Sequence, residues 1–180
     1  MPDLRVRRQR KKASYAQLTL RGTSGDGLRF RADTTRLGES YFRVFEWKGA
    51  FYALSRLGVL HRSPDGIARF EKGHNPFDKI QHPSTLRHAA LYRKGDRLWV
   101  FYSRIGDTPE QIYASVIPLT GDWTTWTPSP PQPVALPEKD YEGADLPLAA
   151  SKEGLSLQRV RQLRDPYVFG ENGKLYLLYS

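Results

Sequence analysis

The chain has 180 residues, 39% hydrophobic and 12% aromatic, the composition of a globular protein, and carries a formal net charge of +9. It has no cysteine, which excludes disulfides, zinc–thiolate sites and cysteine nucleophiles, and no apolar run approaches the roughly 18 residues that span a membrane. Five of the nine charge units lie in residues 1–12, where Arg5, Arg7, Arg8, Arg10, Lys11 and Lys12 stand against Asp3.

That basic segment has no hydrophobic period and no accompanying base-stacking motif, so residues 1–13 read as a flexible solvated tail, and neither nucleic acid nor membrane is expected as a partner. It is not followed by the apolar stretch of a signal peptide, and the compartment is left open. Beyond it, short segments rich in aromatic and β-branched residues predict strands at Tyr15–Leu20, Leu28–Ala32, Tyr41–Trp47, Phe51–Ser55, Val59–Ser63, Ala89–Tyr92, Leu98–Ser103, Ile112–Leu119, Tyr167–Phe169 and Leu175–Tyr179. No stretch holds a sustained helical period, so the predicted class is all-β. The proline-rich run Pro128–Pro133 fits only an extended edge or a linker.

The strands recur as a unit. Arg43, the Arg87-His88 pair and the Arg164-Asp165-Pro166 triplet each lead a hairpin whose turn holds a glycine: Lys48-Gly49, Lys94-Gly95-Asp96 and Asn172-Gly173. Between the hairpins lie Ser24-Gly-Asp26-Gly27, Ser63-Pro-Asp65-Gly66 and a looser Thr120-Gly-Asp122, each followed by an aromatic residue. Hairpin plus Asp-Gly element makes four strands, and Arg43 and Arg87 stand 44 residues apart, a spacing suited to propeller blades. The expected division is a half blade at 14–38, blades at 39–80 and 86–136, an insertion loop at 137–162 and a half blade at 163–180. On this count the chain reads as part of a longer protein, with a compact β-domain of unusual closure as the alternative. Its open hairpin faces are expected to promote association, with little activity in isolation.

In a propeller the first strand of each blade lines the centre, which would gather Arg43, Arg87, His88, Arg164 and Asp165 around one pocket with the Glu142 loop beside it. The competing reading is that the arginines pair with neighbouring carboxylates and hold blades together.

The Arg164-Asp165-Pro166 hairpin, with Leu-Tyr-Leu-Leu-Tyr-Ser on its second strand, resembles the five-bladed propeller glycosidases of glycoside hydrolase families 43, 32, 68, 117 and 130. The Asp-Gly elements at Ser24 and Ser63 resemble the outer strands of the same proteins. The resemblance implies hydrolysis of a glycosidic bond by paired carboxyl groups, with a carbohydrate as partner and no cofactor. It gives Asp165 a supporting role, with Arg164 placed to keep it ionised. Glu142, in Tyr-Glu-Gly-Ala-Asp, resembles the acid-bearing segment of family 43 and is the expected proton donor, with Asp145 the weaker alternative. No aspartate heads the earlier copies, and Glu39 and Asp33 lie near the first without a recognisable motif, so the base is unassigned. His88 is expected to bind a sugar hydroxyl, donate a proton, contact a central ion or serve structure alone. Tyr141 is the aromatic expected to face a sugar, whereas Tyr41, Trp47, Trp99, Trp123 and Trp126 fit inter-blade packing. His61, His74 and His82 lack metal-ligand spacing and are given no role. A non-catalytic sugar-binding or scaffold protein is the second reading, and a sialidase-type propeller with an arginine triad is the third.

Overall fold

The computed structural model describes residues 17–80 and 85–180, so the basic tail, Tyr15 and His82 lie outside it. Among the described residues the chain is all-β, with four antiparallel sheets, no α-helix and three single 3₁₀ turns. β1 (Leu18–Thr23) and β2 (Arg31–Glu39) pair as the first sheet. β3 (Arg43–Trp47), β4 (Ala50–Leu54), β5 (Leu60–Ser63) and β6 (Glu71–Lys72) form a four-stranded meander in that order. A second meander comprises β7 (Thr85–Lys94), β8 (Arg97–Ile105), β9 (Ile112–Pro118) and β10 (Gln132–Ala135), and β11 (Tyr167–Glu171) pairs with β12 (Lys174–Leu178).

Turn chemistry sets the three hairpins. Trp47 pairs with Ala50 and Glu171 with Lys174, leaving the two-residue loops Lys48-Gly49 and Asn172-Gly173, in which both residues have positive φ. That is the turn whose twist matches a hairpin, and glycine enters its second position without steric cost. In the third hairpin Lys94 pairs with Arg97 and only Gly95 has positive φ, the variant that places glycine first.

The core lies between the two meanders. Along β8, Leu98, Val100 and Tyr102 are buried while Arg97 and Trp99 are exposed, the period-two pattern of a strand with one covered face. These side chains meet Leu54, Leu60, Phe77, Leu86, Ile117 and Leu119, with Phe45, Tyr52 and Trp126 closing the cluster. Each fully buried aliphatic side chain contributes about 1.5–3 kcal/mol. A smaller cluster of Leu37, Ala53 and Phe70 joins β2 to the first meander, reinforced by the Phe70 amide donating to the Leu37 carbonyl at 2.9 Å.

The Asp-Gly elements share one hydrogen-bond pattern. Asp26 Oδ1 accepts from the Ser24 hydroxyl and from the amides of Leu28 and Arg29. Asp65 Oδ1 repeats this with Ser63, Ile67 and Ala68, and Gly27 and Gly66 each donate back to the serine oxygen. Gly66 has φ +70, and a Cβ there would sit 2.9 Å from the Phe51 ring, so both backbone and space require glycine.

Two elements differ from expectation. The strand expected at Leu28–Ala32 is instead β2, starting at Arg31 and running to Glu39 through polar residues with little alternation; pairing with β1 selects it. β6 is only two residues long and gives no sequence signal. The end of the proline-rich run forms β10 as an edge strand, one of the two forms expected of it, with Pro133 where a missing amide costs no ladder bond on the open side.

The amide donors at Asp65, first those of Ala68 and Ile67, hold its carboxyl below the usual range. A depressed carboxyl stabilises the fold above its unfolded pKa of about 3.9 and loses that contribution as pH falls through the folded value. Asp65→Asn is therefore expected to lower the thermal midpoint at neutral pH. The gap between wild type and variant, followed by thermal unfolding across pH, should close below about pH 4; a constant gap would mean that the charge is not what matters.

Candidate functional site

The first strands of the three hairpins share a local defect at their heads. In β7, Arg87 and His88 stand opposite the single residue Ser103, because Leu86 pairs with Arg104 and Ala89 with Tyr102. Before β11, Arg164 and Ser180 exchange both backbone bonds while Tyr167 pairs with Leu178, so Asp165 and Pro166 face Tyr179 alone. Before β3, the Arg56 amide donates to the Ser40 carbonyl while Arg43 pairs with Leu54, so Tyr41 and Phe42 face Ser55. Each is a β-bulge, which re-aims side chains that a regular strand would alternate between faces. Tyr41 (φ +61) and Asp165 (φ +50) adopt the left-handed conformation that glycine favours, a strain often held at functional positions.

The bulges correct the expected alignment of the arginines. Arg164 precedes its bulge, Arg87 lies within its bulge and Arg43 follows its own, so the three are not equivalent. The residues that align with one another are Tyr41, Arg87 and Asp165.

The three heads open on one cavity of about 950 Å³ lined by Ser40, Tyr41, Arg87, His88, Arg164 and Asp165, with Glu39, Arg56 and residues 153–156 completing its wall. Within it, Nδ1 of His88 meets Oδ1 of Asp165, and the Tyr41 ring lies 5.0 Å from the imidazole. Burial pushes the His88 pKa below its ordinary value; Asp165 opposes that shift and the Arg87 and Arg43 guanidinium groups add to it. The lowered His88 pKa favours the neutral imidazole, with Nδ1 beside the Asp165 carboxylate.

Behind this pair sits a residue that the sequence reading passed over. Glu110, fully buried, places Oε1 2.9 Å from Arg87 Nε and Oε2 2.9 Å from Arg164 Nε, and Oε1 also accepts from the Ser103 hydroxyl at 2.7 Å. The Glu110 carbonyl accepts from the Leu163 amide at 2.9 Å. The two arginines then reach the insertion: Arg87 donates to the Ser151 hydroxyl and the Lys152 carbonyl, and both donate to the Gly154 carbonyl. Removing one member of such a buried ion group leaves the others uncompensated, at a cost of about 3–5 kcal/mol. Only its position between a proline and the strand beginning at Ile112 marks Glu110 in the sequence, and that is also what a loop glutamate looks like.

The other expected site residues disperse. Arg164 faces Glu110 rather than Asp165, so it does not serve as the counter-ion expected there. Arg43 donates from Nε to the Ala89 carbonyl, a strut between β3 and β7. Tyr141 and Glu142 line a separate cavity of about 620 Å³ with Leu146, Arg159 and Tyr179. Asp145 is exposed and lines neither. Glu142 accepts from the Tyr179 hydroxyl and the Glu138 and Lys139 amides, which hold its carboxyl below the usual range with Tyr179 the largest cause. A proton donor must be held protonated, so this environment opposes the role expected for Glu142.

Among the described residues no group of three or more acidic or histidine side chains is arranged to hold a metal ion, and no helix is long and apolar enough to cross a membrane. The chain is similar to an uncharacterized protein of Acanthamoeba polyphaga mimivirus, 38% identical over 179 residues that cover 93% of this chain and 50% of that protein. It therefore spans about half the length of the curated relative it matches. No family model and no solved structure matches it.

Tyr179→Phe is expected to raise the Glu142 pKa toward the ordinary glutamate value, read by carboxyl-carbon NMR titration. In the parent chain the Tyr179 phenol, pushed up to about 12 chiefly by Glu142, should ionise late in a spectrophotometric titration. An unmoved Glu142 would assign its depression to the two amides alone.

Proposed function

We propose that the four sheets are two whole and two partial blades of a five-bladed β-propeller, and that the cavity at their heads is the sugar site of a glycoside hydrolase-like protein. The supporting observation is the convergence of three bulged strand heads on a cavity holding the His88–Asp165 pair. β3 packs against β7 and β7 against β11, the succession that innermost blade strands follow around an axis. The cavity falls within the range of ligand pockets, and its rim combines charged side chains with the Tyr41 ring.

In this reading neutral His88 takes a proton from water through Nε2, and Asp165 stabilises the imidazolium that forms. The water oxygen bonds to the anomeric carbon as the glycosidic C–O bond breaks, and the leaving oxygen takes its proton from solvent. Glu39, another carboxyl in the wall, is held below its usual pKa chiefly by Lys72 and is no ready acid. Turnover is therefore expected to be slow and confined to glycosides with good leaving groups.

Assay on a panel of nitrophenyl glycosides tests this. His88→Gln and Asp165→Asn should each lower kcat/KM by about 10²–10⁴-fold, whereas Glu142→Gln should change it by less than about tenfold. Because the base works unprotonated, activity should fall as pH drops through the depressed His88 pKa. Full activity in both His88 and Asp165 variants would remove the site. A second reading, a non-catalytic sugar-binding propeller, is favoured by the depressed pKa of both Glu39 and Glu142; sugar binding without turnover in the wild type would select it.

A further inference from the structure

We propose that Glu110 is the positioning residue of this site, holding the heads of β7 and β11 at the spacing at which His88 meets Asp165. The two oxygens of one carboxylate divide between two sheets, Oε1 to Arg87 and Oε2 to Arg164. The residues that follow those arginines in the chain are His88 and Asp165. Each half of the pair is thus one peptide bond from a group anchored on the same buried side chain.

The anchor is itself fixed. Ser103, the residue opposite the β7 bulge, donates to Oε1, and the Glu110 backbone accepts from Leu163, next to Arg164. Burial of Glu110 and Arg87 makes the arrangement intolerant of a shift, because water cannot take the place of the carboxylate at Arg87. Apart from Glu110, the groups that face His88 are Asp165, Arg87, Arg43 and the Tyr41 ring. Of these, Arg87 and Asp165 both depend on Glu110 for their place, Arg87 directly and Asp165 through Arg164.

The inference rests on the proposed site only in taking the His88–Asp165 pair as its working element, and its test uses no substrate. Imidazole nitrogen NMR of the labelled chain, with His88 assigned by His88→Gln, reports which ring nitrogen holds the proton. In the wild type Nδ1 should carry it, and Asp165→Asn should release that preference. Glu110→Gln should reproduce the Asp165→Asn signature while the amide spectrum stays dispersed. Glu110→Asp keeps the charge but is one methylene too short to reach both arginines, so it should do the same. A wild-type His88 signature in either Glu110 variant would overturn the proposal, as would loss of the fold in both, which assigns Glu110 to stability alone. Absence of glycoside turnover with these NMR results intact would overturn the hydrolase reading and leave the positioning role standing.

Discussion

The carboxylate of Glu110 between Arg87 and Arg164 is the interaction on which the site's geometry depends. Ionic groups rarely leave water unless each finds a partner, and the desolvation of three at once is offset only by close contacts and additional hydrogen bonds. Here those contacts come from the β8–β9 connection, the head of β7 and the lead into β11, so the requirement for neutrality fixes three chain segments relative to one another. The insertion follows, because the remaining guanidinium donors bond to the Ser151 hydroxyl, the carbonyls of residues 152 and 154 and the side-chain oxygen of Gln162. The wall of the cavity thus completes the hydrogen bonding of one buried and one half-buried cation.

The bulges supply the second constraint. A regular antiparallel head would send adjacent residues to opposite faces of the sheet. In β7 the extra residue places Arg87 against Glu110 and His88 at the cavity, whereas before β11 the regularly paired Arg164 meets Glu110 and the bulge residue Asp165 meets His88. The residue facing each bulge is also put to use. Ser55 contacts His61, Ser103 contacts Glu110 and Tyr179 contacts Glu142. The same local geometry therefore carries three different polar connections at three strand heads.

Charge environment then distinguishes two cavities that sequence proximity would merge. Glu142 and Asp165 line different cavities, one accepting from a phenol and two amides, the other meeting an imidazole. The first environment favours a fixed anion; the second holds a neutral imidazole beside a carboxylate, because burial pushes the His88 pKa down. This difference moves the proposed chemistry from the Glu142 loop to His88.

Much of the fold was legible in the sequence because its signals are local. The Lys48-Gly49 and Asn172-Gly173 turns, the Ser-x-Asp-Gly elements and the alternation along β8 each depend on residues within a few positions of one another. Propensity and hydrogen-bond reach decide such features without tertiary help. The all-β class followed from those signals; the cavity that holds Arg87, His88, Arg164 and Asp165 but not Arg43 or Glu142 depends on how the sheets pack. Nor was the alignment of the three arginines legible, because a bulge shifts register by a residue and only the cross-strand partner reveals it. Glu110 was invisible since its partners, Arg87 at the head of β7 and Arg164 before β11, lie far from it in the chain, and the state of Glu142 depended on Tyr179, delivered by β12. The sequence by itself determined the hairpins and their turns; the tertiary structure decided which charges face which, because pairing of buried ions is set by distances between segments far apart in the chain.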